Sequence, residues 1–406
     1  LAQRLLDDYV HPSGIFSAED GWIEASINIP LPRTNTQHTS EADAPHFTVE
    51  GLYHRRLVHV IRGIAADKHF AERHHWNPHK AFWKPTTTST GPLKSQSTPE
   101  APPIRIYTDT YNSDAAYEEA EKIRNQPRNP SDDADVEYTV FPIHLWSDAT
   151  HLTNFGSASL WPIYLYFGSL SKYVRGMPTE FAAHHLAYIP TLPDSIQDAY
   201  MKAYSSSASA DVLTFCKREL MQRIWLLLLD NDFMDAYRHG ILIVCSDGVT
   251  RRIFPRIVTY SADYPEKILL TTLKTLGRCP CPRCLVGKDK LSAAGTPEDD
   301  EQRRANRRID NTKLQRDIKK ARKLVFKDGC SLTSTCVKAL LDSRSLNPIQ
   351  SAFSVRLFPF GLNFYNLFAP DLLHEFELGV WKGVFRHIVH LIAAQGDDML
   401  KEFNRR

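Results

Sequence analysis

No stretch of this chain is apolar enough to cross a membrane as a helix. The longest strongly apolar run, Ile224 to Leu229, is closed off by Arg223 and Asp230, far short of the ~20 residues a span needs. Net charge is nearly absent as well. At +2 the molecule is not a polycation, so affinity for nucleic acid has to come from local clusters. Cysteines are few and odd in number, seven, which argues against the evenly spread disulfide framework of a short secreted domain. Three of them crowd into Cys279-Pro280-Cys281-Pro282-Arg283-Cys284, a clustering that reads as intracellular and metal-directed. There is no internal repeat.

What is present is an ordinary globular composition, 42% hydrophobic and 24% charged over 406 residues, enough for two or three domains. The first hundred residues or so are broken by prolines and read as loosely organised, with one helix expected near Val49 to His69, where Leu52, Leu57, Val60, Ile61 and Ile64 recur at helical spacing. Pro85 to Pro103 reads as a linker. A short helix is expected from Ser113 to Asn125. Val136 to Trp146, Ser159 to Phe167 and His185 to Ile189 are β-branched and aromatic and predict three strands in an antiparallel meander. A long helix is expected from Asp211 to His239, stopped by Gly240, with Cys216, Leu220, Ile224 and Leu228 on one face. Strands at Ile241 to Cys245 and Arg252 to Tyr260 flank a turn at Ser246-Asp247-Gly248.

Four constellations can carry chemistry. Asp148 and Asp263 each follow a strand. Carboxylates fixed on adjacent rigid strands suit a hard cation with open water positions, the arrangement that in-line phosphoryl displacement uses; the same residues can also simply end strands. Cys281-x-x-Cys284 is half of a tetrahedral zinc site, or a pair of unligated thiols. Asp371-Leu372-Leu373-His374 puts Asp and His on one helix face, where they could complete that zinc site. Alternatively Asp371 or Glu375 is a third acid, or Asp371 is only a helix cap. Finally, Arg303 to Lys327 holds eleven Lys and Arg against two Asp: either a phosphate-tracking surface or a solvated helix face. The tract His69 to Trp83 reads as a small aromatic cluster.

Taken in order, these motifs resemble the Plavaka transposases of fungi, a branch close to the CACTA-type cut-and-paste DNA transposases. His75-Trp76-Asn77-Pro78-His79 and Arg105-Ile106-Tyr107-Thr108-Asp109 are similar to that family's lead-in. Trp146-Ser147-Asp148-Ala149-Thr150 and Ala262-Asp263-Tyr264-Pro265 resemble its two catalytic aspartates, Cys281-Pro282-Arg283-Cys284 its cysteine pair, and Asp371-Leu372-Leu373-His374 its Asp-x-x-His signature. The resemblance implies an RNase H-like fold and an Asp-Asp-Glu metal site. Asp148 and Asp263 are then ligands of Mg²⁺ or Mn²⁺, with Asp247 the runner-up for the second position. The third acid, a glutamate, is expected on a helix downstream of the signature, beyond the C-terminal residues Lys401 to Arg406. Both ends of the chain read as cut from something longer.

The sequence therefore predicts an α/β architecture: an RNase H-like mixed sheet, its first three strands antiparallel and later ones parallel, flanked by helices. The expected organisation is an N-terminal region and linker over 1–103, the first part of the core over 104–287, an inserted basic helical segment with a thin apolar stripe over 288–360, and a return to the core over 361–406. Structural Zn²⁺ is expected on Cys281, Cys284, Asp371 and His374. DNA, both transposon ends and target, is expected to meet Arg303, Arg304, Arg307, Arg308, Lys313, Arg316, Lys319, Lys320, Arg322 and Lys323. The expected activity is metal-dependent phosphodiester cleavage and strand transfer in the full-length protein, in the nucleus, with no membrane partner and with homo-oligomer formation open; the 406 residues alone, lacking the third carboxylate, are expected to bind DNA without cutting it. The rival readings are a catalytically inactive, transposon-derived DNA-binding or scaffold protein, and a zinc hydrolase centred on the cysteines.

Overall fold

The computed structural model describes residues 16–84, 102–151 and 159–405; most of the expected linker lies outside them. Alternation builds the sheet. In β1 (Trp22–Pro30) Ala25, Ile27 and Ile29 point inward between exposed Glu24, Ser26 and Asn28, the period of two that a half-buried strand requires. Its antiparallel partner is β2 (His46–Arg55). The N-terminal region is thus a long hairpin rather than loose chain, and the helix expected from Val49 starts only at Leu57 (α1, Leu57–Ala66). Val49 and Leu52 are spaced like helix neighbours for a different reason. Gly51 takes φ +79° beside a register shift opposite Ala25 and Ile27, and such a bulge resets the strand's phase so that both side chains face the core.

The expected meander is present. Beyond α2 (Asp114–Asn125), capped by Ser113, β3 (Glu137–Ser147), β4 (Pro162–Phe167) and β5 (His184–Tyr188) pair antiparallel. Asp211 to His239 is two helices, not one: α3 (Ala210–Leu228) and α4 (Asn231–His239). The break falls where the Asp230 carboxylate accepts the Phe233 N–H at 2.8 Å, starting a new helix. Gly240 ends α4 at φ +71°, and a Cβ there would meet the Arg252 side chain at 2.6 Å. A hairpin of β6 (Ile241–Val244) and β7 (Thr250–Ser261) follows.

The seven strands lie in the order β1-β2-β5-β4-β3-β7-β6. Every neighbouring pair is antiparallel except β3 and β7, which are parallel. One face of β3 carries Val140 and Tyr138 against Ala120 and Ile123 of α2. The other face, Phe141, Ile143 and Leu145, joins the main core with α3. The tract His69 to Trp83 packs largely as the aromatic cluster expected, Trp76 stacking on Phe141 at 5.7 Å and His74 lying 4.5 Å from Trp76.

After β7 come α5 (Tyr264–Leu270), α6 (Pro297–Ala305) and α7 (Thr312–Phe326). The stripe on α7 is not thin. Leu314, Ile318, Ala321, Val325 and Phe326 are buried in the main core, and Phe353, further along the segment, packs 4.9 Å from Trp225 of α3. Two of the cations assigned to DNA hold this packing together. Arg322, buried, pairs with Glu219 of α3 at 2.8 Å and with Glu41 from the β1–β2 connection. Arg308, also buried, donates to the carbonyls of Cys279, Cys281 and Arg344. Neither guanidinium faces solvent, so both leave the set of surface cations.

Candidate functional site

The site grows out of the one parallel pair. In the register of β3 and β7, Leu145 lies opposite Tyr260 and Trp146 opposite Ser261. Asp148 and Asp263 each stand two residues beyond that last pair, so both carboxylates leave the sheet at the same edge from neighbouring strands. Asp247, the alternative, is at the opposite end of β7. Its carboxylate pairs with Arg251 at 2.8 Å and accepts the Val249 N–H at 3.1 Å. A strand of twelve residues at ~3.3 Å per residue puts it far from Asp148.

Asp263 also starts α5, its Oδ1 accepting the Glu266 N–H at 2.8 Å. One turn on, Glu266 is buried beneath the two aspartates. Ser147 donates to one of its oxygens and Trp161 Nε1 to the other at 3.0 Å, while Tyr260 Oη shares the Ser147 hydroxyl at 2.7 Å. Nothing at the sequence level marks Glu266, because its partners come from β3 and from the residue before β4.

The last contributor is the turn at Asp371. Its Oδ1 accepts the N–H groups of Leu373 and His374, and its Oδ2 meets His374 Nδ1 at 2.7 Å. The chain then winds as a π-helix from Leu372 to Trp381, a form that recurs at functional sites. Glu375 reaches back to the buried Lys267 of α5, which fixes this turn against the sheet edge.

Charge defines what the cluster does. Burial raises the Asp148 carboxyl above its ordinary range; the His374 charge pulls it down, and Asp263 and Asp371 push it up again. The Asp371 hydrogen bond lifts His374 above its ordinary value, assisted by Asp371, Asp148 and Asp263. Desolvation raises the Glu266 carboxyl to about 7, with Asp263 and Asp148 adding to it against the Ser147 and Trp161 hydrogen bonds. Among the described residues neither Asp148 nor Asp263 makes an ion pair with Lys or Arg. This is a cluster of carboxylates against which the His374 imidazole, bonded to Asp371, is held.

Glu266 supplies a test in solution. Its folded-state pKa lies above the ordinary 4.5, so the folded protein binds the extra proton between pH 4.5 and about 7 and wild-type stability falls as pH rises through that window. In chelator, Glu266→Gln is expected to match wild type near pH 4 and to exceed it by on the order of 3 kcal/mol at pH 8. Urea titrations at the two pH values measure this; an equal difference at both would show that Glu266 does not titrate in that range.

Two carboxylates with open positions fit a small hard cation, since Mg²⁺ keeps several waters and takes one or two carboxylates plus substrate phosphates. Structural zinc asks for four protein ligands. Among the described residues no group of three or more His, Cys, Asp or Glu is arranged to hold a metal. The four side chains expected to share zinc are divided: Asp371 and His374 face the aspartates, whereas Cys281 and Cys284 face each other and a set of arginines.

One family model, described as Plavaka transposase, matches residues 21–392, nearly the whole chain. The chain belongs to the Plavaka transposase family. No curated protein matches it. Family membership makes DNA the partner, and the remaining basic residues then divide by exposure. Lys313, Arg316, Lys319, Lys320 and Lys323 are exposed on α7, and Arg316, Lys319, Lys320 and Lys323 line one shallow groove. Arg303 and Arg304 pair with Asp299 and Asp300, and Arg307 is exposed beside them. No helix is long and apolar enough to cross a membrane among the described residues.

Proposed function

We propose that this Plavaka-family chain carries the RNase H-like core of a DNA transposase that works in the nucleus, with Asp148 and Asp263 as the ligands of Mg²⁺ or Mn²⁺. The observation that carries the reading is the parallel register of β3 and β7, which brings the two aspartates to one edge at equal distance from their last paired residues. The antiparallel strands β3, β4 and β5, with β7 laid parallel beside β3, support the fold assignment. The metal, when bound, activates the attacking oxygen and steadies the leaving one in phosphodiester cleavage and in the later attack of a 3′-hydroxyl on target DNA.

The chain's own residues do the rest. Asp263 presents one oxygen outward because the other is occupied by the Glu266 N–H. Asp371 orients His374 and favours its protonated form, the form that would temper the repulsion between the acids and a DNA phosphate. The buried Ser147–Glu266–Trp161 bonds fix the ends of both strands, so that the carboxylates stay in place when substrate arrives. The groove on α7 holds the duplex through phosphates, which gives sequence-tolerant binding that weakens steeply with salt.

The test is nicking of supercoiled plasmid by the full-length protein, together with Mn²⁺ binding followed by electron paramagnetic resonance. The expected results are Mn²⁺ uptake and metal-dependent nicking. Changing Arg316, Lys319, Lys320 and Lys323 together to Ala should weaken DNA binding at least tenfold at low salt and flatten its salt dependence. DNA binding without either metal uptake or nicking would favour the inactive DNA-binding reading, and no DNA binding at low salt would end both.

A further inference from the structure

The cysteine pair and the arginines around it form a second concavity that the catalytic reading leaves unused. It is a cleft of about 450 Å³ walled by Arg283, Arg303, Arg304 and Arg307, with Cys281 and Cys284 in its lining. Arg283 and Arg307 have no ion-pair partner among the described residues, while Arg303 and Arg304 are balanced by Asp299 and Asp300. The cleft is rigid. The backbones of Cys284 and Arg307 are bridged, and the buried Arg308 clamps the carbonyls of Cys279 and Cys281 from behind.

Both walls are joined to the acidic site. Tyr264, the residue after Asp263, donates its hydroxyl to the carbonyl of Pro280 at 3.0 Å, next to Cys281. The other wall includes Phe368 and Ala369, just before Asp371, and Phe368 is bridged to Tyr260. A strand of DNA lying over Asp148 and Asp263 meets like charge there. Guanidinium groups match phosphate oxygens in bidentate fashion, and a rigid set beside the acids offsets that repulsion on the neighbouring phosphate.

We propose that this arginine-lined cleft is the subsite for a backbone phosphate flanking the reacting one, with Arg283 and Arg307 as its main ligands. The proposal rests on the transposase reading. Cys281 provides a reporter inside the cleft. It lines the cleft itself and accepts the backbone N–H of Arg283 at 3.4 Å, so a phosphate bound by Arg283 would cover it. Counting Asp300 against the four guanidinium groups leaves the lining positive.

The experiment follows iodoacetamide alkylation of Cys281 and of Cys336, which is exposed, by peptide mass spectrometry. It is run with and without a duplex oligonucleotide, and anisotropy of the labelled duplex reports whether DNA is bound. Bound DNA is expected to slow alkylation of Cys281 at least fivefold and to leave Cys336 unchanged. Arg283→Ala with Arg307→Ala is expected to abolish that protection and to reduce the slope of log affinity against log salt by about one for each phosphate that the variant no longer neutralises. Full-rate alkylation of Cys281 on DNA-bound protein would overturn the subsite and leave the transposase reading standing. An unchanged salt slope in the Arg283→Ala, Arg307→Ala variant would overturn it too, whatever the reactivity of Cys281. Absence of any DNA binding at low salt would overturn the subsite together with the reading beneath it.

Discussion

Asp263→Asn is expected to lower metal-dependent nicking by about 10³-fold or more while raising the thermal midpoint of the metal-free protein. The two effects come from one cause. Metal ligation contributes several kcal/mol to phosphoryl transfer, and each 1.4 kcal/mol is about tenfold in rate. Without the metal, the same carboxylates repel one another: Asp148 is raised by burial and by Asp263 and Asp371. Removing a charge from that cluster relieves the folded state. Asn serves equally well as a helix cap, so the bond to the Glu266 N–H is retained and the start of α5 survives. Asp148→Asn should behave in the same way. Because the Asp148 carboxyl is raised in the folded state, its stability contribution is present at low pH and lost as pH rises, so the gain from Asn should grow from acid to neutral pH. Calorimetry in chelator and plasmid nicking in Mn²⁺ measure the two halves. A variant that nicks normally would remove the aspartates from the reaction, whatever its stability.

The largest expected loss of stability lies far from that site. Arg322→Met should cost about 3–5 kcal/mol, the range for breaking a buried ion pair by removing one partner. Arg322 bonds both oxygens of Glu219 and both of Glu41, and the carbonyl of Pro348. Without it, Glu219 keeps only Arg223, at 2.8 Å, and its carboxylate is fully enclosed. The double change Arg322→Met with Glu219→Met is expected to recover most of the loss, because similar-sized apolar groups can replace a buried pair at little cost. Urea denaturation of the two variants decides it, and a single variant within about 1 kcal/mol of wild type would show the network to be dispensable. Arg322 therefore has no place in a set of alanine changes meant to probe DNA binding: it would unfold the protein and imitate a loss of affinity.

That confusion marks the limit of what the sequence makes legible. β3, β4, β5 and β7 can be read from their own residues, since a strand's alternation and its turn signals are local. Asp148 and Asp263 follow from strand ends and motif order. Arg308 and Arg322 look like every other cation in a basic run until their partners are known, and Glu41 lies 281 residues from Arg322. Glu266 is similarly silent, with Ser147 and Trp161 distant by 119 and 105 residues. The N-terminal hairpin is hidden by its prolines and by the Gly51 bulge, which gives Val49 and Leu52 the spacing of a helix. The split between α3 and α4 turns on one side chain, Asp230, whose carboxylate is as compatible with a helix surface as with a cap until its bond to Phe233 is seen.

The bond set around Arg322 also bears on how the molecule opens. It fastens three regions remote in sequence: the β1–β2 connection through Glu41, α3 through Glu219, and α7 through Arg322 itself. Separating α3 from α7 parts the buried Arg322 from the buried Glu219, so neither helix can fray from the other at low cost, whereas Glu41 is partly exposed and can leave more cheaply. In hydrogen exchange, the innermost amides of α3 and α7 should therefore share one opening free energy, close to that of global unfolding. A protease would reach the inner face of α7 only when α3 opens with it.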